Sequence, residues 1–387
     1  MNRIYFDHAA TSFPKGDGVV EAMQTYMTSV GVNINRGSYG DAYETAGVVY
    51  ETREKLCRFF HFGPIPEMVK NVIFTNNVTY AINFIIKGFL KDGDHVLVSA
   101  MEHNAVMRPL VQLRASRGIT FDRIPCSKKG ELNVEVIESM IKENTKAIIM
   151  THASNVCGTL LPIATVGEIA HKNGIKFIVD TAQTAGIFPI SMKDMKIDAL
   201  AFTGHKGLLG PQGIGGFILT NEMADEMESL ITGGTGSISD TEETPDFLPD
   251  KFEAGTLNLP GIIGLSAGID AVEKIGMEQI RKREQELTEY FLREVEKIQG
   301  IQVVGKTSSH DRSAVVSLQT TKVDEATLAF RLDSEFHVQT RVGMHCAPNA
   351  HKTLGTFPEG TIRFSFGYLN SLEEINKTVC AIRTIIE

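Results

Sequence analysis

The chain of 387 residues reads as an α/β protein, a large domain on a mostly parallel seven-stranded sheet joined to a smaller α+β domain. Two observations predict this. Between about residue 70 and residue 220, short β-branched runs alternate with helical patterns, the signature of strand–helix–strand units with helices on both faces of the sheet. After Pro260 the pattern changes to charged helices with a few scattered strands, and the length suffices for two domains of roughly 150 residues each.

The seven expected strands are Val72–Thr75, Val96–Val98, Thr120–Phe121, Ala147–Met150, Lys176–Val179, Ala199–Phe202 and Gly216–Leu219. Between them, Leu132–Lys142 and Val166–Lys172 carry apolar residues at helical spacing. Thr232–Asp250, rich in Gly, Ser, Thr and acids, reads as a surface loop. Gly264–Gln299 reads as one long helical stretch, weakly interrupted at Gly276. Beyond it, Val315–Leu318, Val338–Val342 and Ile362–Phe366 read as strands, with helices over Glu325–Phe336 and Leu372–Ile386. No repeat or low-complexity tract interrupts this order.

Composition narrows the function classes. A net charge of -9 without any Lys/Arg-rich run argues against nucleic acid as a partner. The longest apolar stretches, such as Ile82–Leu90, are far short of a membrane span, and the first residues lack the apolar core of a signal peptide. Five scattered cysteines (57, 126, 157, 346 and 380) form no CxxC pair and no disulfide framework. The histidines are dispersed without metal-ligand spacing, so no metal site is expected. A cytoplasmic protein with neither membrane nor nucleic-acid partners is expected.

The chemistry concentrates at strand ends, where parallel sheets bind ligands. Asp180 and Gln183 follow one strand, in Val179-Asp-Thr-Ala-Gln183; Thr203, His205 and Lys206 follow the next, in Phe202-Thr-Gly-His-Lys206. Lys206 lies 26 positions after Asp180, one strand–helix–strand excursion away, so both reach the same sheet edge. An amine there can bond an aldehyde cofactor, and a carboxylate can keep a pyridine nitrogen protonated. Each residue alone also fits a surface lysine or a capping aspartate; together they single out a cofactor site. Phe74-Thr-Asn-Asn-Val-Thr79 joins a strand to a helix beginning near Thr79, whose free amides suit a phosphate, though plain capping explains the asparagines equally well. Gly210–Gly216 resembles a dinucleotide loop but leads into a strand instead of opening a helix, which rules that reading out.

These motifs, with Phe6-Asp7-His8, Glu102-His-Asn104 and Phe252-Glu-Ala-Gly-Thr256, resemble the class V aminotransferase group of fold-type I pyridoxal-phosphate enzymes. Within that group the nearest resemblance is to the cysteine desulfurases and selenocysteine lyases, over nearly the full length. The resemblance implies a large cofactor-binding domain over 15–262 and a small domain from 1–14 and 263–387. It implies pyridoxal 5'-phosphate attached to Lys206 and paired with Asp180, with His103 stacked on the ring and Asn155 and Gln183 at the ring oxygen. Thr79, Thr203 and His205 would hold the phosphate. Val78 stands where many relatives have a hydroxyl residue, leaving only a backbone contact. Gly255 and Thr256 would reach the phosphate of a neighbouring subunit, which implies a homodimer. Without that context, His103 reads as a structural histidine and Asn155 as a turn cap.

Among the cysteines, Cys346 stands out. It sits in Arg341-Val-Gly-Met-His-Cys346, where His345 offers a neighbour able to favour the thiolate. Desulfurases carry their sulfur acceptor at this place. Cys157, soon after Asn155, is the competitor; Cys57 and Cys380 read as core residues, and Cys126 has no assigned role. Arg363, 17 positions after Cys346, suits bidentate binding of a substrate carboxylate; the resemblance assigns it that role, with Arg341 and Asn155 as further contacts. A structural ion pair is the other reading of Arg363. The short interval resembles compact-loop desulfurases, which implies a sulfur-acceptor protein. The expected reaction converts L-cysteine to L-alanine and leaves sulfur on Cys346 as a persulfide. Selenocysteine or cysteine sulfinate as substrate, a class V aminotransferase, and a catalytically silent cofactor-binding protein remain alternatives.

Overall fold

The computed structural model describes residues 3–387 apart from Arg36 and Ser239. The first two residues of the expected small-domain segment, and Ser239 of the expected loop, therefore lie outside the described residues. Among the described residues there are thirteen strands. After β1 (Ile4–Tyr5) come β2 (Val72–Thr75), β3 (His95–Ser99), β4 (Thr120–Ile124), β5 (Thr145–Thr151), β6 (Lys176–Asp180), β7 (Ala199–Thr203) and β8 (Gly215–Leu219). These seven form one sheet in the order β2-β8-β7-β6-β5-β3-β4. All pairings are parallel except those of β8, which runs antiparallel to both β2 and β7. The carboxyl ends of β2 to β7 and the start of β8 thus lie along one edge.

Successive side chains alternate between two apolar clusters, one on each face. Ile148 and Met150 point to one cluster, Ala147 and Ile149 to the other. A sheet buried on both faces needs apolar residues on both, which is why these strands read as unbroken β-branched runs. Glycine admits β8 between its neighbours: a Cβ on Gly216 would lie 2.2 Å from the Ile73 carbonyl oxygen, and one on Gly215 would lie 2.7 Å from that of Phe202. The glycine run therefore serves sheet insertion.

The remaining strands are β9 (Ile301–Val304), β10 (Val315–Thr320), β11 (Val338–Gln339), β12 (Arg341–Gly343) and β13 (Thr361–Ser365). An antiparallel sheet runs β12-β13-β10-β9, while β11 pairs in parallel with β1. A third apolar cluster joins Ile4 and Phe6 to residues between Leu287 and Ile386. Helix Leu372–Ile386 closes it, started by a capping box in which Ser371 and Glu374 satisfy each other's backbone amides.

Three local expectations change. The expected strand Val338–Val342 is two, because the chain leaves β1 at Gln339 and joins β13 at Arg341. The long helix is two helices, Leu259–Ile275 and Met277–Val295, since Gly276 at φ 90° turns the chain between them. Leu132–Lys142 forms only a 3-10 turn, Val134–Val136, and one helical turn, Ile137–Met140. Thr145 draws the amide of Lys142 out of the helix at 2.7 Å, and the β-branched Val134 and Val136 favour the same outcome. The boundary at 262 falls inside a helix whose Leu265 and Ile269 stay with the large-sheet cluster. Membership of the third cluster resumes only at Leu287.

A buried ion pair fixes the edge of the large sheet. Arg53 forks onto Glu253 at 3.1 and 2.6 Å and also donates to the Val72 carbonyl, while Glu253 accepts from the Phe74 amide at 2.7 Å. Glu253→Ala strands the guanidinium without its partner and is expected to destabilise the protein by about 3–5 kcal/mol. Urea denaturation measures this loss, and Arg53→Met with Glu253→Leu should recover most of it.

Candidate active site

A cavity of about 560 Å³ opens at the strand-end edge, between the large sheet and the β12–β13 pair. It is lined by Val78, Thr79, His103, Asn155, Asp180, Gln183, Thr203, His205, Lys206, Arg341 and Arg363, eleven of the fourteen residues singled out in the sequence. Gly255, Thr256 and Cys346 are exposed and lie outside that lining.

Lys206 follows β7 in a turn, and burial pushes its amine down to about 8, with Arg363 and Arg341 acting in the same direction and Asp180 against it. Asp180 ends β6, buried, and accepts from the Ala182 amide at 2.9 Å. Burial raises its carboxyl, opposed by that hydrogen bond and by Lys206. His103 caps the helix Asn104–Arg117, its Nδ1 accepting from the Ala105 amide at 3.0 Å. The ring proton is therefore on Nε2, and burial holds the imidazole neutral, its pKa near 4. The capping reading and the site reading of His103 are thus compatible.

The anion end is equally specific. The helix starts at Val78, one residue before the expected start, with Asn77 accepting from the Tyr80 amide. The amides of Val78 and Thr79 then head the helix without intrahelical acceptors. Thr203 Oγ1 and His205 Nδ1 are buried and unpartnered among the described residues, two orphaned polar atoms beside that helix start. Burial also keeps His205 neutral, its pKa near 4. Gln183 donates to the Ala9 carbonyl at 3.2 Å, and its amide oxygen has no hydrogen-bond partner among the described residues. Asn155 donates to the His345 carbonyl at 2.6 Å, so its amide holds the cysteine loop in place.

Arg363 is almost fully buried. It pairs with Asp7 at 2.9 Å and donates to the Asn155 carbonyl at 3.0 Å, while its Nε has no partner among the described residues. Arg341 stands directly across from it in the β12–β13 register. Two guanidinium groups against the one carboxylate of Asp7 leave an excess positive charge suited to a carboxylate ligand. The ion-pair reading of Arg363 is thus observed, and it leaves room for the clamp reading. Asp7 has no local sequence signal for this role: its partner is 356 positions away. Nor did spacing reveal Lys15, whose amine bridges Thr11 and the His205 carbonyl at 3.0 and 3.1 Å.

The cysteine loop departs from expectation in one respect. His345 points inward, bonded to Thr361 at 3.0 Å, and burial forces its pKa down to about 2. A neutral, inward ring brings no positive charge to Cys346, whose cationic neighbour is Arg363 instead. The thiol itself is exposed, and its backbone carbonyl accepts from the Asn104 amide at 2.8 Å, beside His103. His345 and Cys346 both have left-handed backbones, φ 46° and 58°, which non-glycine residues rarely adopt. Cys157, the competitor, is fully buried in an apolar cluster with Met101, Val156, Val304 and Ala347, facing Thr159. Cys57 is buried as expected, but Cys380 is exposed, because its position falls on the outer face of the last helix.

Among the described residues no helix is long and apolar enough to cross a membrane, and no three His, Cys, Asp or Glu side chains converge as metal ligands. The chain is 34% identical to a probable cysteine desulfurase of Methanothermobacter thermautotrophicus, over 97% of this chain and 92% of that protein. It is 31% identical to a cysteine desulfurase of Haloferax volcanii, over 98% of this chain and 88% of that one. The apo structure of a cysteine desulfurase from Thermococcus onnurineus NA1 superimposes with a TM-score of 0.92 at 31% identity, covering 99% of this chain and 94% of that chain. The family model for aminotransferase class-V matches residues 4–378. That span takes in the strand-end cavity, the lysine turn and the cysteine loop alike, and the chain belongs to the aminotransferase class-V family.

Proposed function

We propose that this chain is a cysteine desulfurase that binds pyridoxal 5'-phosphate and carries the sulfur of L-cysteine away on Cys346. The observation that carries the reading is the convergence of a depressed lysine amine, a buried carboxylate, an orphaned phosphate-type cradle and two arginines on one cavity. Relatives named cysteine desulfurase over nearly the whole chain support the same activity.

The residues present fit the cofactor. Lys206 would anchor it covalently, Asp180 would face its ring nitrogen, His103 would lie against the ring, and Gln183 and Asn155 would serve its ring oxygen. Thr203, His205, Thr79 and the amide of Val78 would hold the phosphate. Bound there, pyridoxal phosphate supplies a sink for the electrons released at the substrate α-carbon. Arg363, with Arg341, binds the substrate carboxylate and orients the α-carbon. Lys206 takes up the α-proton at Nζ, and its amine near pKa 8 is matched to that work close to neutral pH. His103, neutral, holds a transferable proton at Nε2. Cys346 attacks the substrate sulfur as a thiolate: one S–S bond forms, the C–S bond breaks, and alanine leaves with a new C–H bond. Gly255 and Thr256, exposed on one protomer, suit a contact with a second copy, so the working form is a homodimer. The exposed persulfide on Cys346 suits an acceptor protein.

In the cofactor-free protein, labelling of Lys206 by an amine-selective reagent should rise with pH and reach half its plateau near pH 8, well below the ordinary lysine value. Mass analysis of the labelled peptide against pH checks this, and a midpoint above about 10 removes the proposed base. Cys346→Ala should keep the absorbance of the bound cofactor and lose persulfide formation on incubation with L-cysteine. Intact-mass measurement decides between outcomes: persulfide at wild-type level would move the acceptor to another thiol. Undiminished turnover of selenocysteine by that variant, with cysteine turnover lost, would favour the lyase.

A further inference from the structure

Of the buried acids that the mechanism above leaves unused, Glu284 lines a cavity together with Lys206. A small cavity of about 30 Å³ shares Lys206, Gln183, Ala182 and Ala9 with the active-site cavity, and its far wall is formed in part by His8 and Glu284. Glu284, Ile187 and Ala314 also line a third cavity of about 320 Å³. Exposed His310 and Asp311 lie on that outer cavity, so it opens to solvent. Glu284 is thus common to the outer cavity and to the small one that reaches Lys206.

Glu284 projects from the helix Met277–Val295 and is 7% exposed. Burial alone acts on its carboxyl, raising it to about 8, which keeps it protonated at neutral pH. It shares the lining of the outer cavity with Arg281 on its own helix and with His310, Asp311 and Arg312, and the lining of the inner one with His8 and Lys206. His8 Nε2 is buried without a partner among the described residues. A water needs roughly 10–15 Å³ and two to four polar partners, and the inner cavity offers both the room and the partners.

We propose that Glu284 relays protons between solvent and the Lys206 amine through a water held in the small cavity. The water gives a proton to Nζ as it takes one from the Glu284 carboxyl, and the carboxylate regains its proton from the outer cavity. A proton arriving at Nζ leaves by the reverse sequence. No electrons are exchanged and no co-reactant is needed. Donor and acceptor near the same pKa make the transfer close to thermoneutral in both directions. The route stays open while substrate fills the front of the site. Its use in turnover rests on the reading of Lys206 as the base.

The test begins with the cofactor-free protein. Because Glu102 is also raised to about 8, the infrared difference spectra are compared in a Glu102→Gln background, where they should contain a protonated-carboxyl band at neutral pH that fades as pH rises through about 8. The band should be absent in Glu284→Gln and shifted in Lys206→Ala. With cofactor and L-cysteine, Glu284→Gln should lower kcat at least about tenfold with KM little changed, and formate, small enough for the outer cavity, should restore part of the loss. Ala314→Val, which narrows the passage without touching the acid, should keep the band and lower kcat likewise. A Glu102→Gln spectrum without the band, a band indifferent to Lys206→Ala, or wild-type kcat in both relay variants overturns the proposal. Wild-type protein that releases no alanine overturns the desulfurase reading instead, and the infrared experiment still decides the relay.

Discussion

The buried guanidinium of Arg363 is the joint on which the site depends. It lies on β13, pairs with Asp7 from the amino-terminal segment, and donates to the Asn155 carbonyl from the loop after β5. Three parts of the chain thus converge on one cation that has little water to solvate it. Removing a charge of this kind from water costs several kcal/mol, and only well-placed partners offset that. The geometry of the substrate end is therefore set by the same contacts that join the two cores. The inter-core contacts reinforce it: Arg312 donates to the Cys157 carbonyl at 3.0 Å, and Ser317 to the Val156 carbonyl at 2.6 Å.

Around that joint, burial sets the protonation states. Lys206, His103, His205 and His345 are all driven toward their neutral forms, and Asp180 in the same sense toward its acid. The cavity thus holds its three histidines uncharged, while Lys206, with a pKa near 8, still carries its proton at neutral pH beside the two arginines. A dianionic phosphate and a substrate carboxylate would bring the missing negative charge. The site is completed electrostatically by what it binds.

Much of this was legible in the sequence because parallel strands buried on both faces leave unbroken β-branched runs, and because ligands of such sheets gather where strands end. Asp180 and Lys206 could be paired because they follow two neighbouring parallel strands, although the expected helix between those strands is absent and the crossover from β6 to β7 is made of turns. Asp7 could not, since its pairing with Arg363 depends on the amino terminus returning to the far end of the chain. The orientation of His345 was equally hidden: its neighbour Thr361 lies opposite Gly343 in the β12–β13 pairing, and which strands pair is not written in the local sequence. Strand Val338–Val342 read as one because alternation records which face a residue takes and says nothing about a change of partner. Glu284 read as one more charged residue on a polar helix, since burial of a single acid leaves no mark on periodicity.

The left-handed turn at His345 and Cys346 has a consequence for how evolution and engineering can treat the loop. Two successive side chains in that region store on the order of 1–3 kcal/mol each, a load that glycine at either position would remove. A loop selected for stability alone would lose its thiol first. Position 346 is thus a place where thermal robustness and an exposed thiol pull in opposite directions, and stabilising searches across this fold should be expected to erase it.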